Sequence, residues 1–204
     1  MAVTNGYGRA VNPFCSARVR PGAIPYEFVA GQDPDRLVAR LRRNGWWGQV
    51  VGHHGSGKSA LVAALEPALR KAGRSVIRIE LHDAQRRLPR RPALAVAGHR
   101  NPLLVIDGYE QLSRWGRWRL RRFCRRRQTG LLVTAHRSMG LPDLARTSVS
   151  LAQTQRIVAQ LLGDHAHLIS PDEVAARFHA RQGNLREVLF DLYDLFEKRR
   201  PQAH

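Results

Sequence analysis

Apolar positions along the first three quarters of the chain follow two rhythms in turn, one of period two or continuous over five or six residues, the other of helical spacing. Asp35 to Arg43 sets Leu37, Val38 and Leu41 among arginines at helical spacing and predicts a short amphipathic helix ending near Gly45. Trp46 to Val51 is a short apolar run. A glycine-rich turn follows, and then Lys58 to Lys71, where Leu61, Val62, Leu65 and Leu69 recur at helical intervals. This reads as strand, loop, helix. Further strands are predicted at Ser75–Leu81, Pro102–Ile106, Gly130–Ala135 and Thr147–Leu151, with helical patterns between several of them. Such alternation implies an α/β three-layer sandwich with a five-stranded, mostly parallel sheet.

The ends of the chain differ from this middle. Residues 1–34 carry Pro13, Pro21, Pro25 and Pro34 with several glycines, which predicts an extended, irregular lead-in. From Gln153 the pattern is wholly helical, with segments near 153–162, 171–182 and 185–198. The expected division is therefore a lead-in over 1–34, a main domain over 35–152 and a small C-terminal helical lid over 153–204.

A length of 204 residues with 43% hydrophobic content suits one well-filled core and a small appendage. No apolar stretch is long enough to cross a membrane, and the polar start MAVTNGYGRA lacks the regions of a signal peptide, so a soluble cytoplasmic protein is expected. Cys15 and Cys124 stand far apart, which supports neither a disulfide framework nor a thiolate zinc site. His165 and His167 have no second ligand pair beside them and read as loop histidines.

The chemistry concentrates in Gly52-His53-His54-Gly55-Ser56-Gly57-Lys58-Ser59, followed by Ala60, which fits G-x-x-x-x-G-K-[ST] between a strand and a helix start. Glycines let backbone N–H groups curl around phosphate oxygens, and the helix N-terminus adds partial positive charge. Lys58 would reach the terminal phosphates, and the Ser59 hydroxyl would coordinate Mg²⁺. The expected ligand is ATP with Mg²⁺. Asp107, closing the apolar run Leu103-Leu104-Val105-Ile106, is the second carboxylate such a loop requires for its metal. Glu110 is placed to orient or deprotonate water, or to serve as a first-turn helix carboxylate.

On GHHGSGKS and LLVIDGYE the sequence resembles P-loop ATPases of the branch that includes AAA+ and STAND proteins, over about residues 46–190. The resemblance implies an extra strand between the two motif strands, ending in a polar residue that senses the γ-phosphate. GLLVTAHR offers Thr134, His136 and Arg137 there, with Thr134 or His136 favoured. It also implies that Gly183-Asn184-Leu185-Arg186 is a lid element whose Arg186 reads the nucleotide, while Asn184 and Glu187 equally suit a helix cap. One position departs from the family. The catalytic glutamate usually follows the metal-binding aspartate directly, and here Gly108 stands in that place, which points toward slow hydrolysis or a nucleotide-gated switch.

The net charge of +18 changes the picture of partners. It draws the chain toward polyanions, although 31 arginines against three lysines also fit a compositional habit. Gln111 to Gly130 holds eight arginines, Trp115, Trp118 and Phe123, and no acid. The stretch Arg114 to Arg127 suits DNA or RNA, but Leu112, Trp115, Leu120 and Phe123 also lie near core-face spacing, so the tryptophans equally suit a packed interior. A second cluster is Arg86, Arg87, Arg90 and Arg91. The acids gather instead in the tail, at Asp172, Glu173, Glu187, Asp191, Asp194 and Glu197, an asymmetry that also admits a homo-oligomer. Two other readings stay open: a P-loop kinase with Glu80 or Asp83 near its acceptor, and a non-catalytic nucleotide-gated scaffold.

Overall fold

The computed structural model describes residues 11–29, 31–81, 86, 88 and 92–200. In chain order the helices are α1 (Ser16–Val19), α2 (Pro34–Arg43), α3 (Lys58–Lys71), α4 (Pro92–Val96), α5 (Arg114–Arg126), α6 (Leu151–Leu162), α7 (Pro171–Ala180) and α8 (Leu185–Arg199). The strands are β1 (Trp47–Val51), β2 (Ser75–Glu80), β3 (Pro102–Asp107), β4 (Gly130–Ala135) and β5 (Asp143–Arg146). They form one sheet in the order β2-β3-β4-β1-β5, and every pairing is parallel. By contacts the chain separates into two compact units. One contains 26–53 and 58–147, the other the described parts of 1–25 and 148–204 together with His54–Gly57.

In the sheet unit, alternation along each strand feeds both faces. Leu103 and Val105 of β3 and Leu132 of β4 join Leu37, Leu41, Leu61 and Leu65 from α2 and α3. Leu104 and Ile106 with Leu131 and Val133 point the other way, onto Leu112, Leu120 and Cys124 of the α5 region. A parallel strand covered on both sides must be apolar at every position, which is why PLLVI and GLLV read as unbroken runs. Asp33 caps α2 by accepting from Arg36 N at 2.7 Å, and Pro34 at the first turn needs no N–H partner.

The fifth strand is not where the periodicity placed it. It runs over Asp143–Arg146 rather than Thr147–Leu151. Thr147 adds one ladder bond, donating to Val51 O at 2.8 Å. Beyond it, Ser150 and Gln153 form a capping box that takes Leu151 into α6. The local cap outweighs β-propensity in TSVSL because it satisfies donors at the helix start that a strand end would leave to solvent.

In the helical unit, Val158, Leu162, Val174, Val188, Leu192 and Phe196 from α6, α7 and α8 pack into one cluster with Phe14. Asn12 fastens the lead-in by donating to Tyr193 O at 3.1 Å and to Glu197 Oε1 at 2.8 Å. The tail acids have local uses. Arg181 forms a double hydrogen bond to Asp191, and Arg199 another to Glu173.

Candidate nucleotide-binding site

β1 delivers Gly52 directly from the sheet, and α3 starts at Lys58, so the intervening loop must turn sharply. Gly55 at φ +67° and Gly57 at φ +87° supply the turn, in a region that side chains disfavour. Lys58 is buried, and its Nζ donates to Gly52 O at 2.7 Å and His53 O at 2.6 Å. Burial pushes its pKa below the usual lysine value, while the Glu110 and Asp107 carboxylates pull it back up. His53 and His54 are exposed on the loop, Ser56 is buried, and Ala60 is half-buried in the first turn of α3.

Ser59 Oγ donates to Asp107 Oδ2 at 2.6 Å. Thr134 Oγ1, at the end of β4, donates to the other oxygen, Asp107 Oδ1, and accepts from Gly108 N at 3.1 Å. The β3–β4 register runs to Ile106 opposite Val133, so the next residues of both strands, Asp107 and Thr134, are neighbours. Sheet order thus converts three separate sequence signals into one cluster. A hydroxyl and a carboxylate turned toward each other are hard oxygen donors of the kind Mg²⁺ takes.

Gly108 has a structural reason to be glycine. Its φ is +77°, and a Cβ there would come 2.8 Å from Leu81 O. It opens the 3₁₀ turn Tyr109–Gln111, which buries Tyr109 and brings Glu110 round so that His136 Nε2 donates to its Oε1 at 2.7 Å. The His136 contact was not legible from local sequence, because it joins a turn after β3 to a residue after β4.

Arg186 belongs to the helical unit. Its guanidinium stands over the ring of Phe190, 5.6 Å from the centroid, and Asn184 caps α8 by accepting from Glu187 N. Within that unit Gly55 packs against the cap. A Cβ on Gly55 would collide with the Asn184 side chain and approach Leu185 N to 2.9 Å. Gly-Asn-Leu-Arg is therefore a true helix start in close contact with this glycine. Arg137 is exposed after β4. Of the acceptor-site acids weighed for a kinase, Asp83 lies outside the described residues, and Glu80 is exposed at the end of β2 beside Arg78.

The arginine-rich helix differs in one respect from its core-face spacing. Leu112, Leu120 and Cys124 are buried and Phe123 packs on them, but Trp115 is 64% exposed and Trp118 50% exposed. Arg117 and Arg121 hold Met139 in the loop after β4, and Arg121 Nε also donates to the Tyr109 hydroxyl at 3.1 Å. Of the second cluster, Arg87, Arg90 and Arg91 lie outside the described residues, and Arg86 is exposed. Among the described residues no group of three or more His, Cys, Asp or Glu side chains is placed to hold a metal, and no helix is long and apolar enough to cross a membrane.

The sheet order, the loop between β1 and α3, and β4 inserted between β3 and β1 define the P-loop NTPase fold. Two solved structures are similar to the chain. The Thermotoga maritima RuvB Holliday junction branch migration motor matches with a TM-score of 0.52 and 14% identity, covering 82% of this chain and 63% of its own. AMPPCP-bound DnaA from Aquifex aeolicus matches with a TM-score of 0.49 and 16% identity, covering 83% and 63%. The chain thus spans less than two thirds of either. No protein-family profile and no curated protein matches it.

Proposed function

We propose that this protein binds Mg²⁺-ATP in the Gly52–Ser59 loop and uses binding, with slow hydrolysis, to drive a conformational or assembly change. The observation that carries the reading is the Ser59–Asp107 hydrogen bond of 2.6 Å, which holds the two candidate metal-binding oxygens at one point beside the buried Lys58. In this reading Lys58 holds the terminal phosphates, and Ser59 and Asp107 hold Mg²⁺. Thr134 orients Asp107 and, with Arg186, reads the γ-phosphate. When bound, the metal neutralises charge that develops on the phosphate oxygens. Glu110 is the acceptor for a proton from water, and His136 is its restraint.

The non-catalytic switch is the second reading, favoured by two facts together: Glu110 is engaged through Oε1 by His136, and a side chain at Gly108 would be strained, its Cβ 2.8 Å from Leu81 O. DNA or RNA is the proposed partner, bound through the exposed arginines of α5. The two readings of the nucleotide site separate in one assay: Mg²⁺-ATP binding and phosphate release by the wild type, Lys58→Ala and Glu110→Gln, each with and without DNA or RNA. Turnover dependent on both residues establishes the ATPase, binding without turnover establishes the switch, and no binding rejects both.

A further inference from the structure

α5 carries a surface that its core packing does not explain. Trp115 and Trp118 stack on one another with centroids 4.7 Å apart and planes 16° from parallel, and Arg122 lies over Trp118 at 5.6 Å. They border an open groove of about 1240 Å³ whose lining includes Arg119, Arg122 and Arg126 from α5, Arg127 just after it and Arg86, with no acid among the described residues. Trp115, Arg119, Arg122 and Arg126 are spaced by four, three and four residues, so they share one helix face. Among the described residues no carboxylate pairs with any arginine of α5, in contrast to Arg181 and Arg199 in the helical unit.

We infer that this groove binds single-stranded nucleic acid, with an unpaired base stacking on the Trp115 indole and backbone phosphates on Arg119, Arg126 and Arg127. The inference rests on the nucleic-acid reading of α5 given above and names the form of the ligand. Exposing two large aromatics costs hydration free energy, and it is offset when a planar ring covers them. With Trp118 on one side, Trp115 is still 64% exposed and can accept a base on its other face. Unpaired bases present free π-faces, whereas duplex bases spend theirs on each other, so stacking selects single strands and tolerates any sequence. A membrane surface is the poorer occupant. The apolar face of α5 is already used against the sheet through Leu112, Leu120 and Cys124, leaving no apolar stripe to enter lipid.

The test is fluorescence anisotropy of the full chain with labelled oligothymidylate, oligouridylate and a mixed-sequence duplex of equal length, together with intrinsic tryptophan emission. Anionic phosphatidylglycerol vesicles form a further arm. Expected are binding of one or both single strands at least about tenfold tighter than duplex, with quenched tryptophan emission. Trp115→Ala should weaken single-strand binding by about tenfold, and Trp115→Phe should retain most of it. Arg119→Gln should shallow the logarithmic salt slope by about 0.7, the value for one phosphate contact on a single strand. Unchanged nucleotide binding certifies that each variant is folded. Equal binding of duplex and single strand, indifferent to Trp115, would overturn the stacking site while leaving nucleic acid as partner. Binding to vesicles alone, or to nothing, would overturn both.

Discussion

His136 Nε2 lies 2.7 Å from Glu110 Oε1, so the one carboxylate beside the loop lysine that is not committed to Asp107's cluster is itself held by an imidazole. If Glu110 takes the proton of water, a ligand or partner that draws His136 away frees it. Glu110→Gln should lower phosphate release by about 10²-fold or more, the usual contribution of a general base. His136→Ala should raise it, and the double variant should match Glu110→Gln. A His136→Ala variant as inactive as Glu110→Gln would show that the histidine takes part in the reaction instead of restraining the base.

Lys58→Ala removes the only ammonium among the loop residues and leaves the carbonyls of Gly52 and His53 facing the empty position. Loss of a hydrogen bond to a charged group is worth about 1.5–3 kcal/mol, so ATP should bind about 10- to 100-fold more weakly by calorimetry. An unchanged affinity would move the nucleotide away from this loop.

Gly108→Ala introduces a side chain at φ +77° and against Leu81 O. Strain of this kind costs about 1–3 kcal/mol, and the variant should melt several degrees lower in a thermal scan. Gly108→Glu should be at least as unstable. A wild-type Tm in either variant contradicts this account of the glycine.

Burial in the α5 layer pushes the Cys124 thiol up to about 12. In the native protein at neutral pH, a disulfide reagent should therefore modify Cys15, which is partly exposed, and leave Cys124 until the chain unfolds. Rapid modification of two thiols in native buffer would contradict the burial of Cys124.

Glu173 accepts from both guanidinium nitrogens of Arg199, and this holds its carboxyl down at about 2, against an ordinary value of 4.5. The folded state binds its proton less readily than the unfolded chain. The resulting stabilisation is complete above pH 4.5 and is lost as pH falls from there toward 2. Glu173→Gln should flatten this part of the curve of Tm against pH, and high salt should shrink the difference because the pair is at the surface. Parallel curves for the two proteins would show that the pair contributes nothing.

Much of this site is legible residue by residue. Gly52 to Ser59 is legible because its glycines and the helix start fall within eight consecutive residues, and α3 begins and ends where its apolar spacing places it, Lys58–Lys71. The strands β3 and β4 are legible as apolar runs because both of their faces are covered. Other features have no local signature. Ser59 meets Asp107 from 48 residues away and Thr134 meets it from 27, distances closed only by the order β2-β3-β4-β1-β5.

The same boundary explains the misplaced strand and the ambiguous helix. TSVSL has the composition of a strand, but the Ser150 cap and the helical packing beyond it decide for α6. On α5, helical spacing alone leaves Trp115 and Trp118 equally suited to core and surface; the fold buries Leu112, Leu120 and Cys124 and leaves both indoles exposed. Sequence by itself determined the glycine-rich turn between β1 and α3, the elements flanking it and the carboxylate at the end of β3, because each depends on residues adjacent in the chain. Tertiary structure decided which strand neighbours which, what holds Glu110, and which arginines of α5 serve the fold and which face the groove, because parallel pairing joins segments whose register no local pattern encodes.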